Sequence, residues 1–141
     1  WAGGSNVIVS AGSTCSFVMG LYSIASGSYA QAFGGYTVAK GDYSFAVGGG
    51  TVASGSAQAV VGKFNKQGNS TDLFIVGNGD QYTRADAFNV TSNNSIVVPT
   101  QSIAGAPGWT GREGEMVPVK NGSNYYIYVH IGGAWRSSSL A

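Results

Sequence analysis

Charge is what this chain most lacks. Only 9% of its residues are Asp, Glu, Lys or Arg, against about a quarter in ordinary soluble domains. Seven basic and six acidic side chains leave a net charge of +1, scattered along the sequence. Such a chain has no electrostatic footprint for nucleic acid or an anionic membrane, so neither nucleic-acid binding nor membrane insertion is expected. The single cysteine, Cys15, excludes a disulfide within the chain and a thiolate metal cluster. It shares a sequence register with Tyr29 and Tyr43 and reads as a small filler there. No apolar run approaches the ~18 residues of a membrane helix, and no signal peptide is recognisable. Helical periodicity is also missing, so the chain reads as all-β. It begins at Trp1, not methionine, and is read as the C-terminal piece of something longer.

Catalytic material is equally sparse. His130, the one histidine, lies in a Tyr/Val/Ile run where a packed or surface strand histidine is expected rather than a general base. Glu113 and Glu115 would share one face of a strand about 7 Å apart, a separation an inverting glycosidase uses. Their Gly-rich surroundings offer no groove, so a solvated pair is expected. Asp72, Asp80 and Asp86 are not spaced as a calcium loop and suit turn and capping roles. No enzyme activity, cofactor or metal is expected.

Glycine, in contrast, is abundant and regular. It falls at Gly20, Gly27, Gly34, Gly41, Gly48, Gly55 and Gly62, one every seventh residue. The intervening residues match better at fourteen: Ile24, Val38 and Val52 align, as do Ala25, Ala39 and Ala53, and Ser23, Thr37 and Thr51. These registers predict a solenoid over residues 1–65, each 14-residue rung holding two short strands and two turns, with glycine at the corners. Alternation places Phe17, Gln31, Phe45 and Ala59 on one strand face together with Met19, Phe33, Val47 and Val61, and this set is read as the interior. Ser16, Ala30, Ser44, Val18, Ala32 and Ala46 take the other face, small enough for another backbone to approach. Gln31 has no explanation in that scheme. A roll this thin buries little alone and is expected to associate with copies of itself through the small-residue face.

The phrases Gly27-Ser-Tyr-Ala-Gln-Ala-Phe-Gly34 and Gly41-Asp-Tyr-Ser-Phe-Ala-Val-Gly48 resemble the G-x-x-S-x-A-x-G head repeats of YadA-like trimeric adhesins, which viral tail fibres also use. The resemblance covers roughly residues 11–65. It implies a left-handed parallel β-roll, three chains side by side.

After the roll, residues 66–98 read as a shaft of short strands at Asp72–Val76, Ala85–Val90 and Ser95–Val98. The stretch from Gly62 to Val90 resembles segments of phage tail-fibre shafts. Residues 99–113 read as an extended connector. Residues 114–141 carry Asn121-Gly122 and Gly132-Gly133 between β-rich runs, which predicts hairpins. Their pattern is similar to the short C-terminal caps of viral tail and fibre proteins. Alternation puts Tyr125, Ile127, Val129 and Ile131 on one face, and these with Trp135 are expected to form the core of a trimer-clamping cap.

The remaining signal is aromatic. Tyr22 and Tyr36 lie one rung apart, as do Tyr29 and Tyr43, giving two short tyrosine ladders, and Trp109 and Arg112 stand near the tip. These six are the candidate receptor contacts, since aromatic faces amid Asn, Ser and Gly suit sugar rings. The alternative is that the ladders merely cover the glycine corners. Together the resemblances imply a non-enzymatic homotrimeric fibre tip on a virion surface, bound to a host cell-surface glycan or protein. A bacterial trimeric adhesin head and a purely structural spacer are the alternatives.

Overall fold

The computed structural model describes residues 1–140. Among them there is no helix, only strands and the turns between them. The chain forms two compact units, Trp1–Val97 and Val98 onward.

In the first unit the strands alternate between two sheets. Strands β1 (Ala2–Ser5), β3 (Phe17–Leu21), β5 (Gln31–Gly35), β7 (Phe45–Gly49) and β9 (Ala59–Lys63) pair in parallel in that order. Strands β2 (Ile8–Val9), β4 (Ile24–Ala25), β6 (Val38–Ala39) and β8 (Val52–Ala53) form a second parallel series. The result is a β-solenoid-like stack. Phe17 pairs with Gln31, Gln31 with Phe45 and Phe45 with Ala59, so equivalent residues of successive coils become vertical neighbours.

Two kinds of corner close each coil. At Gly34 and Gly48 the backbone has φ of 123° and 120°, a region costly for any side chain, and an added Cβ would run into the next coil's carbonyl, of Gly48 and Gly62 respectively. The second kind is left-handed and mostly lacks glycine. Cys15, Tyr22, Tyr29, Tyr36, Tyr43, Gly50, Ala57 and Phe64 all have φ between 41° and 63°. There the amide turns toward the preceding coil: Tyr36 N donates to Leu21 O and Tyr43 N to Ser28 O. These vertical bonds help hold the non-glycine residues in a conformation that costs each about 1–2 kcal/mol.

The interior is the reverse of the sequence expectation. Val18, Ala25, Ala30, Ala32, Ala39, Ala46, Ala53 and Val60 are fully buried. Phe17, Met19, Gln31, Phe33, Phe45, Ala59, Val47 and Val61 face outward, half-buried or exposed. The physical reason is volume: the space between the two parallel series is filled by alanine and, toward its ends, valine, and a phenylalanine would overpack it. Gln31, anomalous as an interior residue, is simply exposed. The small-residue face, expected to meet other copies, is instead buried within the chain itself.

The solenoid ends in side chains that imitate another coil. Ile24 N and Val38 N bond to the carbonyls of Thr37 and Thr51, but Val52 N bonds to the side-chain Oδ1 of Asn65 at 2.8 Å. The Asn65 amide nitrogen then donates to Val52 O at 3.0 Å. Ser26 N and Lys40 N likewise bond to Ala39 O and Ala53 O, whereas Ser54 N bonds to Gln58 Oε1 at 2.8 Å. Both capping side chains are buried. Strand β10 (Asp72–Asn78) adds one more parallel strand, Phe74 pairing with Ala59. Strand β11 (Asp86–Thr91) then turns antiparallel and β12 (Ile96–Val97) pairs with it.

The second unit is a four-stranded sheet. Strand β13 (Gln101–Ser102), inside the stretch read as a plain connector, pairs in parallel with β14 (Met116–Asn121). Strands β15 (Asn124–Ile131) and β16 (Ala134–Leu140) complete an antiparallel meander. The first hairpin places Gly122 and Ser123 in its turn, with positive φ at Gly122 alone, as a type II′ turn requires. Gly132 and Gly133 are both positive, at 60° and 77°, as in type I′.

Candidate recognition surfaces

The left-handed corners aim the four ladder tyrosines outward. Tyr22, Tyr29, Tyr36 and Tyr43 are 48%, 44%, 58% and 65% exposed. The rings of Tyr29 and Tyr43 stack with centroids 5.0 Å apart and planes 3° apart, and those of Tyr22 and Tyr36 at 5.2 Å and 16°. The centroid distance follows the ~4.8 Å strand spacing, so the faces between the paired rings are covered and their edges meet solvent. The second column ends differently from the first. Gly50 follows Tyr36, and a Cβ there would strike the Phe64 ring. Arg84 closes this end: its guanidinium stands 5.6 Å over the Phe64 ring and donates to Gly50 O at 2.8 Å and Asn65 O at 3.1 Å.

A second aromatic strip runs along the outer face of the larger sheet. Trp1 stacks on Phe17 at 4.6 Å, Phe17 meets Phe33 at 5.2 Å, and Phe33 meets Phe45 at 5.9 Å. Phe17, Phe33 and Phe45 of this strip were expected inside the roll, so its exposure was not legible from alternation alone.

The acids of the first unit are engaged in local bonds. Asp80 Oδ1 accepts from the amides of Thr83 and Tyr82 at 2.7 and 2.8 Å. Those two bonds hold its carboxyl below the ordinary value of 3.8. Asp72 and Asp86 are buried and share the amide nitrogen of Asn89, and Asp86 also accepts from Lys66 N. Asp80 thus takes the turn role read from sequence, while the sharing of Asn89 by Asp72 and Asp86 was not foreseen. Among the described residues no group of three or more His, Cys, Asp or Glu is placed to hold a metal ion.

In the second unit Trp109, Glu113, Glu115, His130 and Trp135 meet at one corner. Trp135 Nε1 donates to Trp109 O at 3.0 Å, and the Trp109 and Trp135 rings are edge-to-face at 5.8 Å. Glu115 accepts from Arg112 N at 2.9 Å and from Trp109 Nε1 at 3.1 Å. Those bonds, the Arg112 amide first, hold its carboxyl below the ordinary 4.5. Glu113 accepts instead from Gly132 N and lies 3.9 Å from Nδ1 of the buried His130. The two glutamates do not share a strand face, as their spacing had indicated: Glu113 sits in the turn before β14 and Glu115 immediately precedes that strand. Each is tied to a different backbone amide, and Arg112 is exposed beside them.

The opposite side of this sheet is apolar. Tyr125, Ile127, Val129 and Ile131 lie on one face as alternation predicts, and Leu140 joins them through its pairing with Tyr125. Tyr125, Ile127, Ile131 and Leu140 are 42%, 37%, 52% and 52% exposed. Ile127, Val129, Ile131 and Leu140, with Arg136 and Ser138, line a concavity of about 440 Å³. Trp135, expected with this set, sits on the other face against His130, their rings 5.2 Å apart, because its strand register pairs it with that histidine.

Fold and surfaces together define an all-β, solenoid-like repeat protein with an aromatic exterior. Comparison with family models, with curated proteins and with solved structures finds no match.

Proposed function

We propose that this chain is the receptor-binding tip of a homotrimeric fibre of the viral tail-fibre type, built on a left-handed roll of 14-residue rungs and acting by adhesion, not catalysis. It works at a virion surface and binds a host cell-surface glycan or protein. The observation that carries the reading is the pair of outward tyrosine stacks held by the backbone of the roll. Side chains fixed in left-handed corners present contact area whose ordering entropy is already spent on folding. The trimer is supported by two unpartnered apolar strips, Trp1/Phe17/Phe33/Phe45 on the roll and Tyr125/Ile127/Ile131 on the terminal sheet. Three copies around an axis would bury each strip, at roughly 1.5–3 kcal/mol for each large side chain covered.

Binding of the purified chain to an array of host-surface oligosaccharides and to host cells tests this reading. Tyr29→Ala and Tyr43→Ala are expected to weaken binding about tenfold or more, the size of an interface anchor, with the thermal unfolding curve retained in shape. Binding that ignores both tyrosines but vanishes on changing Trp109 or Arg112 would move the reader to the terminal unit. No binding by any variant or by the parent would leave the ladders as covers of their corners.

A further inference from the structure

Tyr43 is the last ring of its ladder, and the next corner of that column carries no aromatic side chain. Its inner face is covered by Tyr29 at 5.0 Å. One coil further the same left-handed corner is occupied by Ala57, φ 54°, whose methyl supplies no third ring. Tyr36 differs, because the coil beyond it carries Gly50 and the Phe64 ring lies over that glycine. Tyr43 is accordingly the most exposed of the four at 65%.

We propose that the step between Tyr43 and Ala57 is a subsite for one uncharged pyranose ring, which would take the place of the missing rung's aromatic. The inference rests on the receptor-binding reading above and narrows it to one ring face. A pyranose presenting axial C–H bonds has the thickness of a stacked ring and gains from the negative face of the tyrosine quadrupole. Its hydroxyls then project sideways to hydrogen-bonding groups of the same corner. Asp42 and Ser56, the residues preceding Tyr43 and Ala57, are both exposed. The Asp42 carboxylate is already oriented, since its Oδ1 accepts from Ser28 N at 2.8 Å. The exposed Asp42 carboxylate at this corner disfavours an anionic sugar, so the subsite favours an uncharged one.

The test is saturation-transfer NMR of the intact chain with lactose and with cellobiose, each compared with sialyllactose, on the parent, Tyr43→Ala and Ala57→Tyr. Ala57→Tyr continues the ladder with the residue its own register uses at Tyr29 and Tyr43, so the fold is retained while the open face is covered. Expected is saturation of the C–H protons of a neutral disaccharide by the parent, lost about tenfold or more in both variants. Sialyllactose is expected to show no gain over lactose. Retained binding in Ala57→Tyr with loss in Tyr43→Ala would overturn the subsite and leave the ladder edges as the receptor surface. Absence of transfer to both neutral sugars in the parent would overturn it too, while array and cell binding decide the broader reading separately. A changed sedimentation mass in Ala57→Tyr would also overturn it, showing the corner to be a contact between chains.

Discussion

At the scale of the residue, backbone conformation separates positions that look alike in sequence. Gly48 and Gly49 are neighbours, yet only Gly48 has a positive φ and stands against the next coil's carbonyl, while a Cβ on Gly49 would meet nothing within 4 Å. Gly48→Val is expected to abolish cooperative unfolding at the parent's midpoint, whereas Gly49→Ala stays within about 0.5 kcal/mol of the parent. Equal thermal curves for the two would contradict the corner assignment. Glu115 supplies a pH-dependent case. Its carboxyl is depressed by the bonds from Arg112 N and Trp109 Nε1, so the stabilisation is fully present above the ordinary 4.5 and is lost as pH falls through the lower folded value. The indole N–H resonance of Trp109 is expected to shift in that acidic window in the parent, and not in Glu115→Gln. The left-handed tyrosines were not legible from sequence, since glycine is the residue that normally announces such corners. Their two ladder registers, Tyr22 with Tyr36 and Tyr29 with Tyr43, were visible all the same.

At the scale of the element, the question is how a repeating stack stops. Asn65 follows Ser23, Thr37 and Thr51 in one register, and its longer side chain supplies both the acceptor and the donor that Val52 needs. Asn65→Ala would leave the Val52 amide and carbonyl buried without these partners, at about 1–3 kcal/mol for each group. A fall in the thermal midpoint is expected, and Asn65→Asp should restore only the acceptor half. Arg84 closes the same end, so Arg84→Lys, which keeps the charge but not the planar fork, is expected to lower the midpoint as well. The registers that revealed the repeat were readable because small and glycine residues recur without exception. Inside and outside were misread because hydrophobicity was weighed without volume: Ala25, Ala39 and Ala53 never vary in size, while Phe17, Gln31, Phe45 and Ala59 do. The constant alanine register is interior, and the register that varies from phenylalanine to glutamine is surface.

At the scale of the whole molecule, the proposed self-association rests on the exposed apolar strips. The terminal hairpins were legible from Asn121-Gly122 and Gly132-Gly133, and alternation correctly grouped Tyr125, Ile127, Val129 and Ile131. The position of Trp135 was not, because it depends on the register of β16 against β15, which no local pattern states. Phe33→Glu and Ile127→Glu each place a charge on an outward apolar strip, where the fold of a single chain loses little and an interface loses much. Both are expected to weaken self-association without removing the β-rich circular dichroism spectrum. The most direct measurement is the mass of the intact chain by sedimentation equilibrium at micromolar concentration. The account predicts three times the 14.4 kDa of one chain, falling toward one chain in the Phe33→Glu, Ile127→Glu double variant. A folded parent that sediments as a single 14.4 kDa chain would contradict it.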